Sequence, residues 1–470
     1  HLVDRQAIVT SADGLVHPRP PYRLNGAAMG ARTPAPRLGE HHRSLQPWPP
    51  RRMPDSAPVA FQALPLAGVK VLDLTSWWVG AMATHTLALL GADVIHVEGV
   101  AHPDGMRLTG STFARTEDWW EWGHMFAAAN TDKRGITLDL GSDTGRDLLR
   151  GLIRWADVFV ENFSPRVVES WGLDRDAVLA INPGIVYQRM PAYGLTGPWR
   201  DRPAFAQTIE PMSTMASITG YPDALPVAKG GIPDPIAGTH GAWAALVGLA
   251  ERDRSGAGVF CEAVMIEAAL NVCAQPLLER AAYGHTMQRL GNRSPHAAPQ
   301  GVYPCAGNDA WVAISIVAEE HWQALAQLVG GAELAADPRF GAVADRHANH
   351  DELDALLSSW TAARDADATA DELRRRGVPA AACWDARLIA DHPSYVARRV
   401  FEPVEHPVLG TIRVPGLPYR FASVDRWVGA PAPRFGEHTH AVLRDVLALD
   451  SAAIAQLESD GVITDRPRGL

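Results

Sequence analysis

The segment GGIPDPIAGTHG, residues 230–241, sets a single carboxylate, Asp234, between two prolines and directly ahead of a long apolar helical run. An Asp-Pro pair often starts a helix, because the Asp side chain caps the first free N–H groups and Pro235 fills the first helical position, where no donor is lost. The same geometry suits a nucleophile, since the positive end of a helix favours an ionised carboxylate and the flanking glycines admit a ligand. The segment alone leaves both interpretations open.

The composition of the chain is that of an ordinary globular protein. Its 470 residues are 47% hydrophobic and 20% charged, which is enough to build cores for two or three domains. No apolar run approaches the roughly 18 residues that cross a bilayer. A net charge of −10 disfavours nucleic acid as the main partner. We therefore expect neither a membrane nor a nucleic-acid partner.

The cysteines and the missing motifs narrow the chemistry further. Four scattered cysteines occur without a CxxC pair or a metal-ligand spacing, which predicts packing roles in a reducing compartment, the cytoplasm, and no metal site. They are Cys261, Cys273, Cys305 and Cys383. The first predicted strand is not followed by GxGxxG, and the chain contains no P-loop, GxSxG or HExxH. The sequence therefore lacks the common motifs for nucleotide binding, for serine hydrolases and for zinc proteases.

A long-range repeat links the two ends of the chain. Residues 18–41 and 415–438 align without a gap at an offset of 397, with PYR and PAPR-x-GEH in common and 11 identities in 24 positions. We interpret residues 1–55 as the C-terminal tail of an upstream homologous module in a tandem protein, and we expect them to pack poorly without that module. A shared proline-rich surface motif is the alternative.

The elements that must position Asp234 follow an alternating pattern. Residues 66–98 read as strand, helix and strand, and apolar strands at 136–140, 157–163 and 184–190 alternate with helical runs. This pattern predicts an α/β fold with a Rossmann-like parallel sheet and flanking helices. A second strand-and-helix segment begins at 310–316 and predicts a smaller α/β domain.

The domain boundaries follow from these patterns. After the 1–55 tail, we expect residues 56–285 and 400–470 to form the large Rossmann-like domain, with residues 286–399 as the small domain.

Eight segments, in this order and spacing, carry a family resemblance. They are LAGVKVLDLT, LLGADVIHVE, NTDKRGITLDL, ADVFVENFSPRVVESWGL, NPGIVYQRMPAYGLTGPWRDRPAF, IPDPIAGTHGAWAAL, GVYPCAGNDAWVAI and PAPRFGEHTHAVL. Together they resemble the family III CoA-transferases of the CaiB/BaiF type, which include formyl-CoA and carnitine CoA-transferases and α-methylacyl-CoA racemase. The resemblance covers about residues 64–460 and implies interlocked dimers, so the expected partner is a second copy or, in a tandem protein, the upstream module.

The resemblance implies a role for Asp234 as the nucleophile. Its carboxylate would attack an acyl-CoA thioester to give a mixed anhydride, and the released thiolate would convert this to an aspartyl-CoA thioester. A carboxylic acid acceptor would then take the CoA. Glu210 is a second expected catalytic residue, because it lies four residues after Ala206, on the same face of a helix if this stretch is helical, and could orient Asp234 or the acceptor.

Coenzyme A, as acyl-CoA, is the expected substrate, and we place it across the C-terminal edge of the parallel sheet, where β-α loops open. Its phosphates would use basic residues on these loops. The predicted CoA-binding residues are Ser76, Trp77, Trp78, Gly80, Val97, Arg107, Lys133, Arg134, Asn162, Phe163 and Arg166.

Several positions depart from the family pattern. Trp78 stands where formyl-CoA transferase has a glutamine, and Gly99 and Ser170 stand where basic residues are common. The His-Asp pair of the racemase branch is replaced by Phe205 and Ala206, neither of which can move a proton. An acyl-CoA racemase or thioesterase-like enzyme, and a non-catalytic CoA-binding module, remain the alternatives to a CoA-transferase.

Overall fold

The structure is a computed structural model that describes residues 1–12, 14–28, 34–47, 64–110 and 116–470. The chain divides into two compact units. The large unit comprises residues 1–215, 228–287 and 398–470, and the small unit comprises residues 216–227 and 288–397. Residues 216–227, which the sequence analysis placed in the large domain, thus belong to the small unit. None of the helices in the described ranges is long and apolar enough to cross a membrane.

The strands of the described residues are β1 (Ile8–Thr10), β2 (Val16–Pro18), β3 (Tyr22–Leu24), β4 (Ala27–Ala28), β5 (Lys70–Leu74), β6 (Asp93–Gly99), β7 (Lys133–Leu138), β8 (Val158–Glu161), β9 (Val186–Arg189), β10 (Val259–Ala263), β11 (Gln300–Pro304), β12 (Trp311–Ser315), β13 (Ala380–Ala382), β14 (Phe401–His406) and β15 (Gly410–Pro415).

The helices are α1 (Trp77–Leu89), α2 (Gly105–Leu108), α3 (His124–Ala129), α4 (Asp143–Trp155), α5 (Pro165–Ser170), α6 (Arg175–Ile181), α7 (Ala206–Met212), α8 (Pro233–Ser255), α9 (Met265–Val272), α10 (Ala274–Tyr283), α11 (Glu319–Ala335), α12 (Val343–Ala348), α13 (His350–Thr361), α14 (Ala366–Arg375), α15 (Pro393–Arg398), α16 (Thr439–Asp445) and α17 (Ser451–Ser459).

The main sheet has eight strands in the order β4-β3-β10-β9-β8-β5-β6-β7. The six strands from β10 to β7 are parallel, and β3 and β4 add antiparallel strands beyond β10. Numbered along the chain from β5, the parallel strands follow the Rossmann order 3-2-1-4-5-6, in which strand order reverses between β5 and β8. The predicted α/β class with a Rossmann-like sheet is confirmed.

The parallel strands are buried on both faces because helices cover each side of the sheet. One apolar cluster lies under α1, α8 and α9, and a second lies under α4, α6, α16 and α17. Small residues let α1 and α8 approach closely: a Cβ on Gly238 would lie 2.6 Å from the Cβ of Met82 and 2.8 Å from the carbonyl oxygen of Val79. This contact fixes the start of α8 against the start of α1.

The first 28 residues correct a prediction. We expected residues 1–55 to pack poorly, but β3 pairs with β10 in the main sheet, and the buried Arg5 side chain donates to Glu262 and Glu267 at 2.8 and 2.9 Å. The reason is that β10 would otherwise be an open sheet edge with buried carboxylates beside it. Residues 1–28 pair with that edge and neutralise the carboxylates. The described residues 34–47 form only turns and are exposed.

The repeated segments share local structure. Each copy has a two-stranded hairpin directly before PYR, ending at Pro18 in one copy and at Pro415 in the other. In each copy the arginine backbone N–H also donates to the glutamate three residues later, from Arg37 to Glu40 at 2.6 Å and from Arg434 to Glu437 at 2.8 Å. Local sequence therefore determines both turns.

The surroundings of the two PAPR-x-GEH copies differ. The second copy covers the edge strand β7, with His438 N–H donating to the carbonyl of Gly135 at 2.9 Å and a Cβ on Gly135 falling 2.8 Å from Pro433. The first copy is exposed.

The small unit has a three-stranded antiparallel sheet, β11-β12-β13, packed with α11, α13 and α14 around its own apolar cluster. All four cysteines are free. Cys261, Cys273 and Cys305 are buried as predicted, whereas Cys383 is exposed, because β13 lies at the edge of the small sheet. The packing role predicted for Cys383 is therefore wrong.

Candidate active site

Asp234 lies in the first turn of α8 and does not cap it. The helix begins at Pro233, its N-cap is Ile232, and no side chain caps it. The predicted cap at Asp234 is therefore wrong: Pro233, not Pro235, takes the first helical position, which shifts Asp234 inside the helix. Among the described residues none donates a hydrogen bond to the Asp234 carboxylate. The backbone N–H of Asp234 donates to the carbonyl of Gly231 at 3.1 Å.

The surroundings of Asp234 disfavour its charge. Burial, followed by the negative charge of Glu210, raises the pKa of Asp234 from 3.8 to about 7. We expected the helix start to keep this carboxylate ionised, but the loss of water around the side chain outweighs that effect. A carboxylate with a pKa near 7 is a stronger base than an ordinary aspartate and still ionises at neutral pH.

Glu210 lies on α7 with no solvent exposure. Its Oε1 accepts from the backbone N–H groups of Gly230 and Gly231, both at 2.9 Å, and its Oε2 accepts from Gly230 at 3.1 Å. On the next turn of the same helix, Gln207 Nε2 donates to the carbonyl of Gly230 at 3.3 Å. Glu210 thus holds the backbone segment that precedes Asp234. It acts on Asp234 itself only through its negative charge.

A pocket of about 490 Å³ opens beside the start of α8. Its walls are Trp78 on one side and, on the other, residues before and after Asp234: Lys229, Gly230, Gly231, Ile232, Pro235, Ile236 and Thr239. A Cβ on Gly231 would lie 3.1 Å from the Trp78 ring, so the backbone runs flat against the indole. Trp78, predicted as a CoA contact, belongs to this pocket.

A larger cavity of about 720 Å³ lies at the C-terminal edge of the parallel strands, where the strand order reverses. Ligands of open α/β sheets bind at such a crevice. The loops after β5, β6, β7 and β8 all line it. Four of the predicted CoA-binding residues line it: Ser76, Trp77, Val97 and Phe163.

Trp77 closes one side of this cavity in a strained conformation. Its φ of 66° is rare for a bulky residue, and its N–H donates to Asp104 Oδ1 at 2.9 Å. Its indole lies against Gly105, where a Cβ would come within 2.2 Å, and meets Phe205 edge-to-face with the ring centroids 5.2 Å apart. Trp77 and Trp78, adjacent in sequence, therefore line two different spaces at the start of α1.

Asn162 and Gly80 shape the cavity without lining it. Asn162 Oδ1 accepts from Ser76 N–H at 2.9 Å and its Nδ2 donates to the Ser76 carbonyl at 2.6 Å, which joins the loops after β5 and β8. A Cβ on Gly80 would lie 2.2 Å from that of Thr75, so only glycine lets α1 pack there. Neither residue lines the predicted CoA cavity.

Three of the four basic residues predicted to bind phosphate are engaged elsewhere. The buried Arg107 forms ion pairs with Glu98 and Glu121 at 2.9 and 2.8 Å. The buried Lys133 pairs with Asp73 at 3.0 Å.

Arg134 pairs with Asp93, the first residue of β6, at 2.7 Å, which places both at the opposite edge of the sheet. The structure does not favour these three residues as phosphate contacts, because their charges neutralise carboxylates of the fold. Arg166, on α5, is exposed and remains a candidate.

Sequence reasoning missed three residues of these spaces. Asp104 holds Trp77, Gly105 receives its ring, and, of the described residues that line the pocket beside Asp234, Lys229 alone has a charged side chain. The Asp-Gly pair reads as an ordinary turn in the sequence, and no local pattern shows that it meets Trp77. Lys229 could have been found as the lysine nearest to Asp234 in sequence.

Comparison with known proteins gives a consistent result. The sequence model of CoA-transferase family III matches residues 66–439. Succinyl-CoA–D-citramalate CoA-transferase of Chloroflexus aurantiacus is 34% identical over 401 residues, 85% of this chain and 98% of that protein.

Two further relatives extend the comparison. Probable CoA-transferase Rv1866 of Mycobacterium tuberculosis is 29% identical over 94% of this chain, and the chain spans 55% of the length of that protein. A crystal structure of a CaiB/BaiF family protein from Brucella suis superposes with a TM-score of 0.75 at 30% identity, covering 82% of this chain and 100% of that one.

Proposed function

This chain belongs to CoA-transferase family III and is a CoA-transferase, and we propose that it moves CoA from an acyl-CoA donor to a carboxylic acid through a covalent aspartyl-CoA intermediate at Asp234. The observation that carries this proposal is the placement of Asp234. It is a partly buried carboxylate without a hydrogen-bond donor among the described residues, in a helix start that also lines a pocket. Such a group suits nucleophilic attack better than a structural role.

The proposed reaction retains the energy of the thioester bond, because each intermediate is either a thioester or an acid anhydride. The Asp234 carboxylate attacks the donor carbonyl and expels the CoA thiolate, which leaves an acyl-aspartyl anhydride. The thiolate attacks the aspartyl carbonyl of this anhydride, releasing the donor acid and forming the aspartyl-CoA thioester. The acceptor carboxylate then attacks that thioester, and the expelled thiolate attacks the acceptor carbonyl of the new anhydride, regenerating Asp234. A dry site protects both anhydrides from water.

We place CoA in the cavity at the C-terminal edge of the sheet, with Ser76, Trp77, Val97 and Phe163 in contact. The thioester would then reach Asp234 past the start of α1, where Trp77 lines the cavity and Trp78 lines the pocket. Arg166 is the proposed phosphate contact. The racemase alternative is not favoured, because Phe205 and Ala206 offer no group that moves a proton.

The proposed partner is a second module of this fold, either a second copy or an upstream module of the same chain. Two observations support it: the hairpin and the PAPR-x-GEH turn recur in both copies of the repeat, and the M. tuberculosis relative is nearly twice as long as the matched region. The first copy of PAPR-x-GEH is exposed, whereas the second copy covers the edge strand β7. We therefore propose that the first copy docks on the second module. We propose that the protein is located in the cytoplasm, because its four cysteines are free, as is usual in a reducing compartment.

Trapping the intermediate tests this proposal. The protein is incubated with a panel of acyl-CoA donors, including succinyl-CoA, then treated with hydroxylamine and analysed by peptide mass spectrometry. We expect a hydroxamate at Asp234 and none in Asp234→Asn, which should stay folded because Asp234 does not cap α8. CoA transfer without modification of Asp234, or transfer that persists in Asp234→Asn after deamidation is excluded, would refute the covalent mechanism.

A further inference from the structure

The pocket beside Asp234 contains an unusual residue for this chain. Only three of the 470 residues are lysines: Lys70, Lys133 and Lys229. Lys133 is buried in an ion pair with Asp73, and Lys70 starts β5 with its ammonium 5.7 Å from the Trp155 ring. Lys229 is exposed and lines the pocket.

Lys229 has no counter-ion among the residues that the structure describes. Among the described residues, no carboxylate lies within ion-pair distance of its ammonium. It is also the single charge in the pocket lining, whose other side chains are mostly apolar, with Trp78, Ile232 and Pro235 among them. An ammonium beside an apolar wall is a ready partner for an anionic group of a ligand that leaves water.

The backbone next to Lys229 is fixed, although its side chain has no ion-pair partner in the described part of the chain. The next two residues donate to Glu210, and the carbonyl of Gly230 accepts from Gln207. The side chain therefore starts from a defined point, five residues before Asp234 in a short, clamped segment. Because the buried Glu210 carboxylate acts on this site while Asp234 is held as a neutral thioester, an acid acceptor that enters also needs a positive charge to offset Glu210.

We propose that Lys229 binds the distal carboxylate of a short dicarboxylic acid whose other carboxylate reacts at the Asp234 thioester. This inference rests on the proposed function, which assigns the reaction of the first carboxylate to Asp234. It adds that the acceptor is a dicarboxylic acid. A monocarboxylic acid uses its one charge at the reacting centre and leaves Lys229 unpaired. A dicarboxylic acid places a charge at each end of the pocket, with its methylene groups against Trp78.

Protection of Lys229 from an amine-reactive reagent tests this binding directly. The Asp234→Asn protein, with CoA present throughout, is labelled with an N-hydroxysuccinimide ester in the presence of succinate or of butyrate, which replaces the second carboxylate by a methyl group. We expect succinate to slow labelling of Lys229 several-fold, butyrate to have no such effect, and Lys70 to react equally in both. Equal protection by the two acids, or protection by neither, would overturn the proposal.

Kinetics provides the second measurement. In Lys229→Met we expect the KM for succinate to rise about fivefold, which corresponds to the loss of one partly screened ion pair, with the KM for butyrate within about twofold of the wild type and partial recovery in Lys229→Arg. Lys70→Met, which removes the same charge at the other edge of the sheet, is the matched control and should change neither KM. An unchanged ratio of the two KM values in Lys229→Met would contradict the proposal.

The two measurements separate this inference from the mechanism. If Asp234→Asn still transfers CoA, the covalent mechanism fails while protection of Lys229 still reports on acid binding. If Asp234 is trapped as its hydroxamate but Lys229 is unprotected, the mechanism stands and the dicarboxylate inference fails.

Discussion

Asp234 is the residue whose ionisation should control acylation. Because the pKa of Asp234 is raised to about 7, we expect kcat/KM for the acyl-CoA donor to rise with pH through about 7 and to level above it. In Glu210→Gln the charge that adds to the effect of burial is lost, so the rise should move to lower pH. The glutamine carbonyl can still accept from Gly230. A wild-type profile that levels near the ordinary aspartate pKa would contradict this assignment.

The same pKa shift has a consequence for stability. The folded state holds the Asp234 proton until about pH 7, whereas the unfolded chain releases it near 3.8. Between these values the unfolded chain binds fewer protons, so this group lowers the free energy of unfolding as pH rises from about 4 to 7. Asp234→Asn should remove that contribution, which urea unfolding at a series of pH values would measure.

At the scale of elements, replacing a buried arginine should lower the free energy of unfolding more than replacing an exposed one. Arg107, on α2, joins β6 to the segment before α3 through Glu98 and Glu121, and is 1% exposed. Arg107→Met would leave two buried carboxylates without their partner, which costs about 3–5 kcal/mol. Arg134→Met breaks a more exposed pair with Asp93 and should cost less than about 1 kcal/mol.

Urea unfolding of the two arginine variants gives the comparison. If Arg107 instead bound CoA phosphate, Arg107→Met would weaken acyl-CoA binding and leave the free energy of unfolding nearly unchanged. Equal stability of Arg107→Met and Arg134→Met would therefore contradict the structural role given to Arg107.

At the scale of the whole molecule, the first 28 residues complete the main sheet. They pair with β10, and Arg5 and Arg19 neutralise Glu262 and Glu267. Removal of residues 1–28 should expose the β10 edge, leave these buried carboxylates unpaired, and lower the thermal midpoint by several degrees or more. A synthetic peptide of residues 1–28 added in trans should restore part of the loss.

The peptide experiment has a matched control. A peptide in which Arg5 and Arg19 are replaced by methionine keeps the strand but not the charges, and should restore less. If the truncated chain unfolds at the same temperature as the full chain, residues 1–28 do not form part of this unit.

The sequence by itself determined the α/β class, the family and the position of Asp234. Each depends on local signals: apolar periodicity sets strand and helix, and motif order along the chain carries the family resemblance. The turn at PAPR-x-GEH also belongs here, because both copies form the same Arg-to-Glu hydrogen bond in different surroundings.

The tertiary structure alone decided the roles of the charged and aromatic side chains. Arg107, Lys133 and Arg134 looked free in the sequence, but the fold turns each of them toward a carboxylate on another element. Trp77 and Trp78 are neighbours in sequence, yet they line different spaces. The pKa of Asp234 depends on burial and on Glu210 across the fold. Burial and charge pairing are sums over residues brought together by packing, so no window of sequence contains them.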